Sequence, residues 1–134
     1  MVPAMHAFMR RAQRRLWQRL ETAAEQEVDR LLQALPPPLR DKARQVPIVF
    51  LPEPTPEMVR EGVDAELLGL FTGEPYASAA HATAPEITLF LGNLWEESGH
   101  DAGAFREQVR RTLLHELGHY LGFEEEDLAG RDLD

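Results

Sequence analysis

The 134-residue chain contains no cysteine. Disulfides, thiolate nucleophiles and all cysteine-based zinc sites are thereby excluded. Any transition-metal site must be assembled from His, Asp or Glu. Long apolar runs are also missing. None approaches the ~18 residues that a membrane-spanning helix needs, so no membrane partner is expected. The N-terminus lacks the uninterrupted apolar core of a secretory signal peptide, and a cytoplasmic protein is expected. Lysine is nearly absent, with one among the 14 basic residues. This arginine-rich, cysteine-free usage fits a bacterial source. Basic charge is short overall, at 14 basic against 23 acidic residues and a net charge of −9. Such a balance opposes a nucleic-acid partner, whose phosphates favour a basic surface.

What remains is an ordinary globular composition, 43% apolar and 28% charged. With no internal repeat, Gly/Ser linker or low-complexity tract, it reads as one domain over residues 1–134, residues 1–15 being an N-terminal extension. Its oligomeric state is left open. The charge is unevenly spread. Residues 1–20 hold Arg10, Arg11, Arg14, Arg15 and Arg19 and no acid, whereas residues 123–134 hold six acids against Arg131. The basic face reads as a solvated helix surface, with a site for an anionic partner as the alternative.

Leu16, Leu20, Ala24, Val28, Leu31 and Leu35 recur at helical spacing, predicting a long amphipathic helix that Pro36, Pro37 and Pro38 end. Val46–Leu51 reads as a strand, at an edge or starting at Pro47. A loop with one helical turn after Pro56 follows, then a second strand over Leu67–Thr72. Glu86–Leu91 is the clearest strand, with Ile87, Leu89 and Leu91 on one face and Gly92 and Asn93 ending it. Asp101 is a plausible N-cap for a last helix, in which Phe105, Val109, Thr112, Leu113, Leu117, Tyr120 and Leu121 repeat at helical spacing. The order of elements predicts an α+β fold with a short mixed sheet of about three strands.

The last helix carries His115-Glu116-Leu117-Gly118-His119. Two His four apart lie one above the other on a helix face, so both imidazoles can reach one cation. Glu116 sits one step around, placed to take a proton from water that the cation makes acidic. The pattern H-E-x-x-H therefore points to metal-assisted hydrolysis. Gly122 stands where the helix should end and turn sharply back. Three residues later, Glu125 completes H-E-x-x-H-x-x-G-x-x-E. Only 15 residues follow His119, which leaves little chain for a ligand on a later helix. The third ligand thus comes from Glu124, Glu125, Glu126 or Asp127, with spacing favouring Glu125. His81 and His100 could contribute from loops. Gly118, costly inside a helix, would leave room for a close-packed strand.

The run HELGHYLGFEEEDL resembles the motif of the small bacterial zincin-like metallopeptidases, minimal domains akin to matrix metalloproteases. The early helix ending in Leu35-Pro36, the VPIVFL strand, the LLGLFTGEP segment and the PEITLFLGNL strand extend the resemblance over roughly residues 16–130. It implies a zincin-like fold with the motif helix beneath the sheet, and one zinc ion held by His115, His119 and the acid at position 125. The metzincin pattern is met only in part: position 125 is Glu, and all four Met lie upstream of the motif. The expected function is a zinc metallopeptidase acting on peptide or protein substrates, with Glu116 as general base. Glu86–Leu91 is the expected sheet edge for an extended substrate. Two other readings stand beside it: a metalloribonuclease with the same ligand spacing, and a non-catalytic metal-binding module.

Overall fold

The computed structural model describes residues 3–76 and 83–122, with side chains from residue 10 onward. It is α+β, in the order α1 (Pro3–Ala34), α2 (Pro37–Ala43), β1 (Ile48–Leu51), α3 (Pro56–Arg60), β2 (Gly69–Thr72), β3 (Glu86–Phe90), α4 (Leu91–Glu97) and α5 (Ala102–Leu121). The long N-terminal helix starts at Pro3, so the residues expected as an extension continue it without a break. Its C-terminus is closed by Arg40, whose guanidinium donates to the carbonyls of Leu32 (3.2 Å), Gln33 (3.0 Å) and Leu35 (3.0 Å). A cation there complements the partial negative charge of the helix end.

Two short helices were not foreseen. Pro36–Pro38 stops α1, but Pro37 and Pro38 also begin α2, because proline's fixed φ and missing N–H suit a first helical turn. At the far end of β3 the chain passes directly from Phe90 into α4, with no side-chain cap and no turn between. Leu91, expected in the strand, is the first residue of that helix. Close contact explains Gly92: a Cβ there would meet the Pro52 carbonyl oxygen at 2.5 Å. Asn93 then donates through Nδ2 to the carbonyls of Ala65 and Leu67, both at 2.9 Å. This pins the segment that enters β2. The helical turn after Pro56 is present as α3, capped by the Thr55 hydroxyl accepting from the Met58 N–H.

The three strands form one mixed sheet in the order β1-β3-β2. β3 pairs in parallel with β1 and antiparallel with β2. Glu86–Phe90 is therefore the central strand, and its expected role as a substrate-binding edge is overturned. Both of its sides are already hydrogen-bonded, and four of its five residues are buried. The alternation of Ile87 and Leu89 gave one buried face, but Thr88 and Phe90 are buried too. Among the described residues the edges are β1 and β2.

The core lies between the sheet, α5 and the C-terminal half of α1. Ile87 and Leu89 share one buried cluster with Phe105, Val109, Leu113 and Leu117 of α5 and with Leu20, Ala24, Leu31 and Leu35 of α1, α5 packing on the sheet and α1 packing on α5. Side chains of this kind contribute about 1.5–3 kcal/mol each when fully buried. A polar joint ties the two long helices. Arg106 donates to Gln26 Oε1 (2.7 Å) and lies 3.5 Å from the Glu27 carboxylate, which also pairs with Arg30 at 3.3 Å.

Candidate metal centre

α5 is fixed at both ends. The Asp101 carboxylate accepts from the Ala104 N–H at 2.8 Å, the expected N-cap. Gly122 closes the helix in the left-handed conformation (φ 80°), as the glycine at that offset predicted. Between them Phe105, Val109, Leu113, Leu117 and Tyr120 face the core. This burial fixes the rotation of the helix and so decides where the motif points.

His115 and His119 come out on the exposed side, while Glu116 is buried. The two Nε2 atoms are 3.1 Å apart, with the rings nearly perpendicular (85°). His115 Nε2 is 4.0 Å from Glu116 Oε2. One ligand atom from each of the three residues falls within 4.8 Å of the others, the one such group among the described residues. Zinc with Zn–N bonds of about 2.05 Å in a tetrahedral shell needs its nitrogens about 3.3 Å apart. The His pair thus already stands at close to ligand spacing, and neutral imidazole is a suitable donor for that ion.

Glu116 owes its position to a residue that sequence reasoning did not single out. Gly69 opens β2 directly over the helix. A Cβ there would meet Thr112 Cγ2 at 2.5 Å and Glu116 Cγ at 3.4 Å. The close strand-to-helix approach was expected at Gly118, which is buried within α5. Gly69 is a strand glycine that makes room for such an approach. The available signal was the Gly inside LLGLFT, since glycine in a strand interior often marks a close backbone approach. Leu67, Leu68 and Gly69 form one wall of an open groove of about 330 Å³, and Arg111, Thr112, His115 and Glu116 form the other. Beyond β2, the Tyr76 N–H donates to the Tyr120 carbonyl at 2.8 Å, holding the strand's exit against the end of α5.

His100 does not join the site. It precedes the N-terminus of α5, about 20 Å along the helix from His115. There it stacks on Trp95 (ring centroids 5.1 Å, 4° between planes), and its Nε2 lies 2.9 Å from Glu96 Oε1. The other candidates, His81, Glu124, Glu125, Glu126 and Asp127, lie outside the described residues. Tyr120 is core rather than site. It packs on Phe71 and Tyr76, both with ring centroids at 5.9 Å, and burial together with the neighbouring Tyr76 pushes its hydroxyl pKa up from the ordinary value of 10.0.

The sequence profile of a family described as zincin-like metallopeptidase matches residues 43–133, more than half of the chain. The match takes in all three strands and the whole of α5, and leaves α1 outside. No curated protein matches the chain significantly.

Proposed function

The chain belongs to the zincin-like metallopeptidase family, and on that premise we propose that it is a zinc-dependent peptidase. One observation carries the reading. Two imidazole Nε2 atoms converge at 3.1 Å beside a buried carboxylate, and His115 and Glu116 line a groove whose other wall leads into an edge strand. His115 and His119 hold the ion. The acidic segment after Gly122 supplies the third ligand, with Glu125 the first choice and Glu124, Glu126 and Asp127 as alternatives. The chemistry a zinc ion supplies in such a site is Lewis acidity toward a carbonyl oxygen and toward water.

The chain's own residues do the rest. Glu116 accepts a proton from the attacking water at a carboxylate oxygen and returns it to the leaving amine nitrogen. It is buried against β2 at Gly69, where even a Cβ would come within 3.4 Å of its Cγ, and proton transfer demands a carboxylate held at hydrogen-bond range. Among the described residues no strand pairs with the outer side of β2, which lies beside the groove. An extended peptide can add there as a further strand, orienting the scissile bond toward His115 and Glu116. This assigns to β2 the role first expected of β3. Membership of a peptidase family, the Glu beside the first His and the net charge of −9 favour this reading over a ribonuclease.

The test is hydrolysis of a peptide library by zinc-loaded protein and by Glu116→Gln. The variant should retain its metal and lose about 10²–10⁴-fold in rate. A Glu116→Gln protein that cleaves at the wild-type rate contradicts the general-base role.

A further inference from the structure

Arg111 lines the groove beside the metal centre but takes no part in holding the ion or moving a proton. It stands four residues before His115. The two side chains therefore share one face of α5, about 6 Å apart along its axis. Among the described residues that line the groove, Arg111 alone carries a permanent positive charge. Leu67 and Leu68, on the opposite wall, are half-buried. An apolar wall facing one well-placed polar group is the usual make-up of a side-chain subsite.

The guanidinium is accessible to a ligand. Its Nη2 lies 3.1 Å from Glu107 Oε1, but the two side chains are 62% and 53% exposed. A pair so exposed is weak. The guanidinium carries five N–H donors in a planar fork that matches a carboxylate.

The packing of β2 on α5 gives the direction of a bound peptide. Gly69 lies against Thr112 and Glu116, Phe71 packs on Tyr120, and the Tyr76 N–H reaches the Tyr120 carbonyl. Strand and helix thus run the same way, and the chain before Gly69 lies toward Arg111. A peptide added antiparallel to β2, the sense in which β2 already pairs with β3, runs from Thr72 toward Gly69. Its C-terminal part then passes Arg111. An extended chain advances about 3.3 Å per residue, so the interval from His115 to Arg111 corresponds to about two residues.

We propose that Arg111 determines specificity by binding a substrate carboxylate within about two residues of the scissile bond, on its C-terminal side. The inference rests on the peptidase reading of this groove. The carboxylate is an Asp or Glu side chain or the peptide's own C-terminus. A net charge of −9 does not oppose it, because exposed charges more than about 8–10 Å apart are largely screened, whereas the guanidinium acts at contact.

The experiment uses two randomised decapeptide libraries, one containing Asp and Glu and the other Asn and Gln in their place, each with a free or an amidated C-terminus. Cleavage by zinc-loaded wild type is read by mass spectrometry, and retention of the same peptides is read on immobilised, zinc-loaded Glu116→Gln protein. Acidic residues, or the free C-terminus, should be favoured about tenfold at the first or second position after the cleaved bond. Arg111→Ala should remove the preference and Arg111→Glu should turn it toward Lys and Arg, both at unchanged melting temperature. Amidation that abolishes the preference identifies the C-terminus as the ligand, and a preference that survives amidation identifies the side chain. Cleavage without a carboxylate preference, or a preference that survives Arg111→Ala, overturns the role of Arg111 and leaves the peptidase reading intact. Arg111-dependent retention of acidic peptides without cleavage by the wild type supports the carboxylate site and overturns the peptidase reading. Equal retention of both libraries by a protein that cleaves neither overturns both.

Discussion

α1 and α5 are both long helices and lie against each other, yet they are held in different ways. α5 is buried against the sheet and α1 from Phe105 to Tyr120, capped by Asp101 at one end and Gly122 at the other. Among the residues of α1 whose side chains are described, 10–15 are exposed and packing on the core begins at Leu16. The difference shows what each can carry. A site that must keep two imidazole nitrogens 3.1 Å apart beside a fixed carboxylate needs a helix that cannot rotate or slide. The start of α1, exposed over residues 10–15, carries no part of that site and needs no such rigidity.

The comparison can be broken most severely in the core. Leu113→Ala, fully buried on the inner face of α5, should cost about 2–5 kcal/mol in chemical denaturation. Arg14→Ala, on the exposed start of α1, should stay within about 0.5 kcal/mol. Equal losses would mean that this start is packed as tightly as the motif helix. Next in size is Gly69→Ala. Its new methyl group falls 2.5 Å from Thr112 Cγ2 and should cost about 1–3 kcal/mol. It should reduce peptide hydrolysis out of proportion to stability, since Glu116 lies at the same contact. A hydrolysis rate unchanged after correction for the folded fraction would separate β2 from the site. The caps come third. Asp101→Ala should cost about 1 kcal/mol and Gly122→Ala about 1–2 kcal/mol in thermal melts. The smallest effect concerns pH. Burial raises the Tyr120 pKa above 10.0, so above about pH 10 the unfolded chain releases a proton that the folded chain keeps. Stability should fall as pH rises through that range. Tyr120→Phe should flatten the decline, and an unaltered alkaline slope would assign it to other groups.

Much of this contrast was legible in the sequence because it is written in helical periodicity. The Phe105–Tyr120 spacing set the buried face of α5, and the His115–His119 interval then followed as an exposed pair. Gly122 was readable as a cap because a left-handed turn leaves few other choices. What escaped depended on partners far along the chain. β3 reads as a good strand from EITLF, but its central position is decided by which strands flank it. Pairing between Ile48 and Ile87, or between Gly69 and Leu89, leaves no local mark. α2 was hidden because three prolines signal the end of one helix as strongly as the start of another. α4 was hidden because Gly92 and Asn93 look like a turn. Gly92 is there for Pro52, and Asn93 for two carbonyls more than 25 residues away. Gly69 posed the same difficulty: it reads as a glycine within a strand, and only the packing of β2 on α5 shows the close contact it makes room for.

The central claim is that α5 presents a ligand pair for one divalent cation, and elemental analysis of purified, zinc-reconstituted protein tests it most directly. The account predicts one zinc per wild-type chain, one per Glu116→Gln chain, and loss of stoichiometric zinc in His119→Ala at unchanged helical content. A wild-type protein that takes up no zinc after reconstitution, or a His119→Ala variant that holds it as well as the wild type, would contradict it.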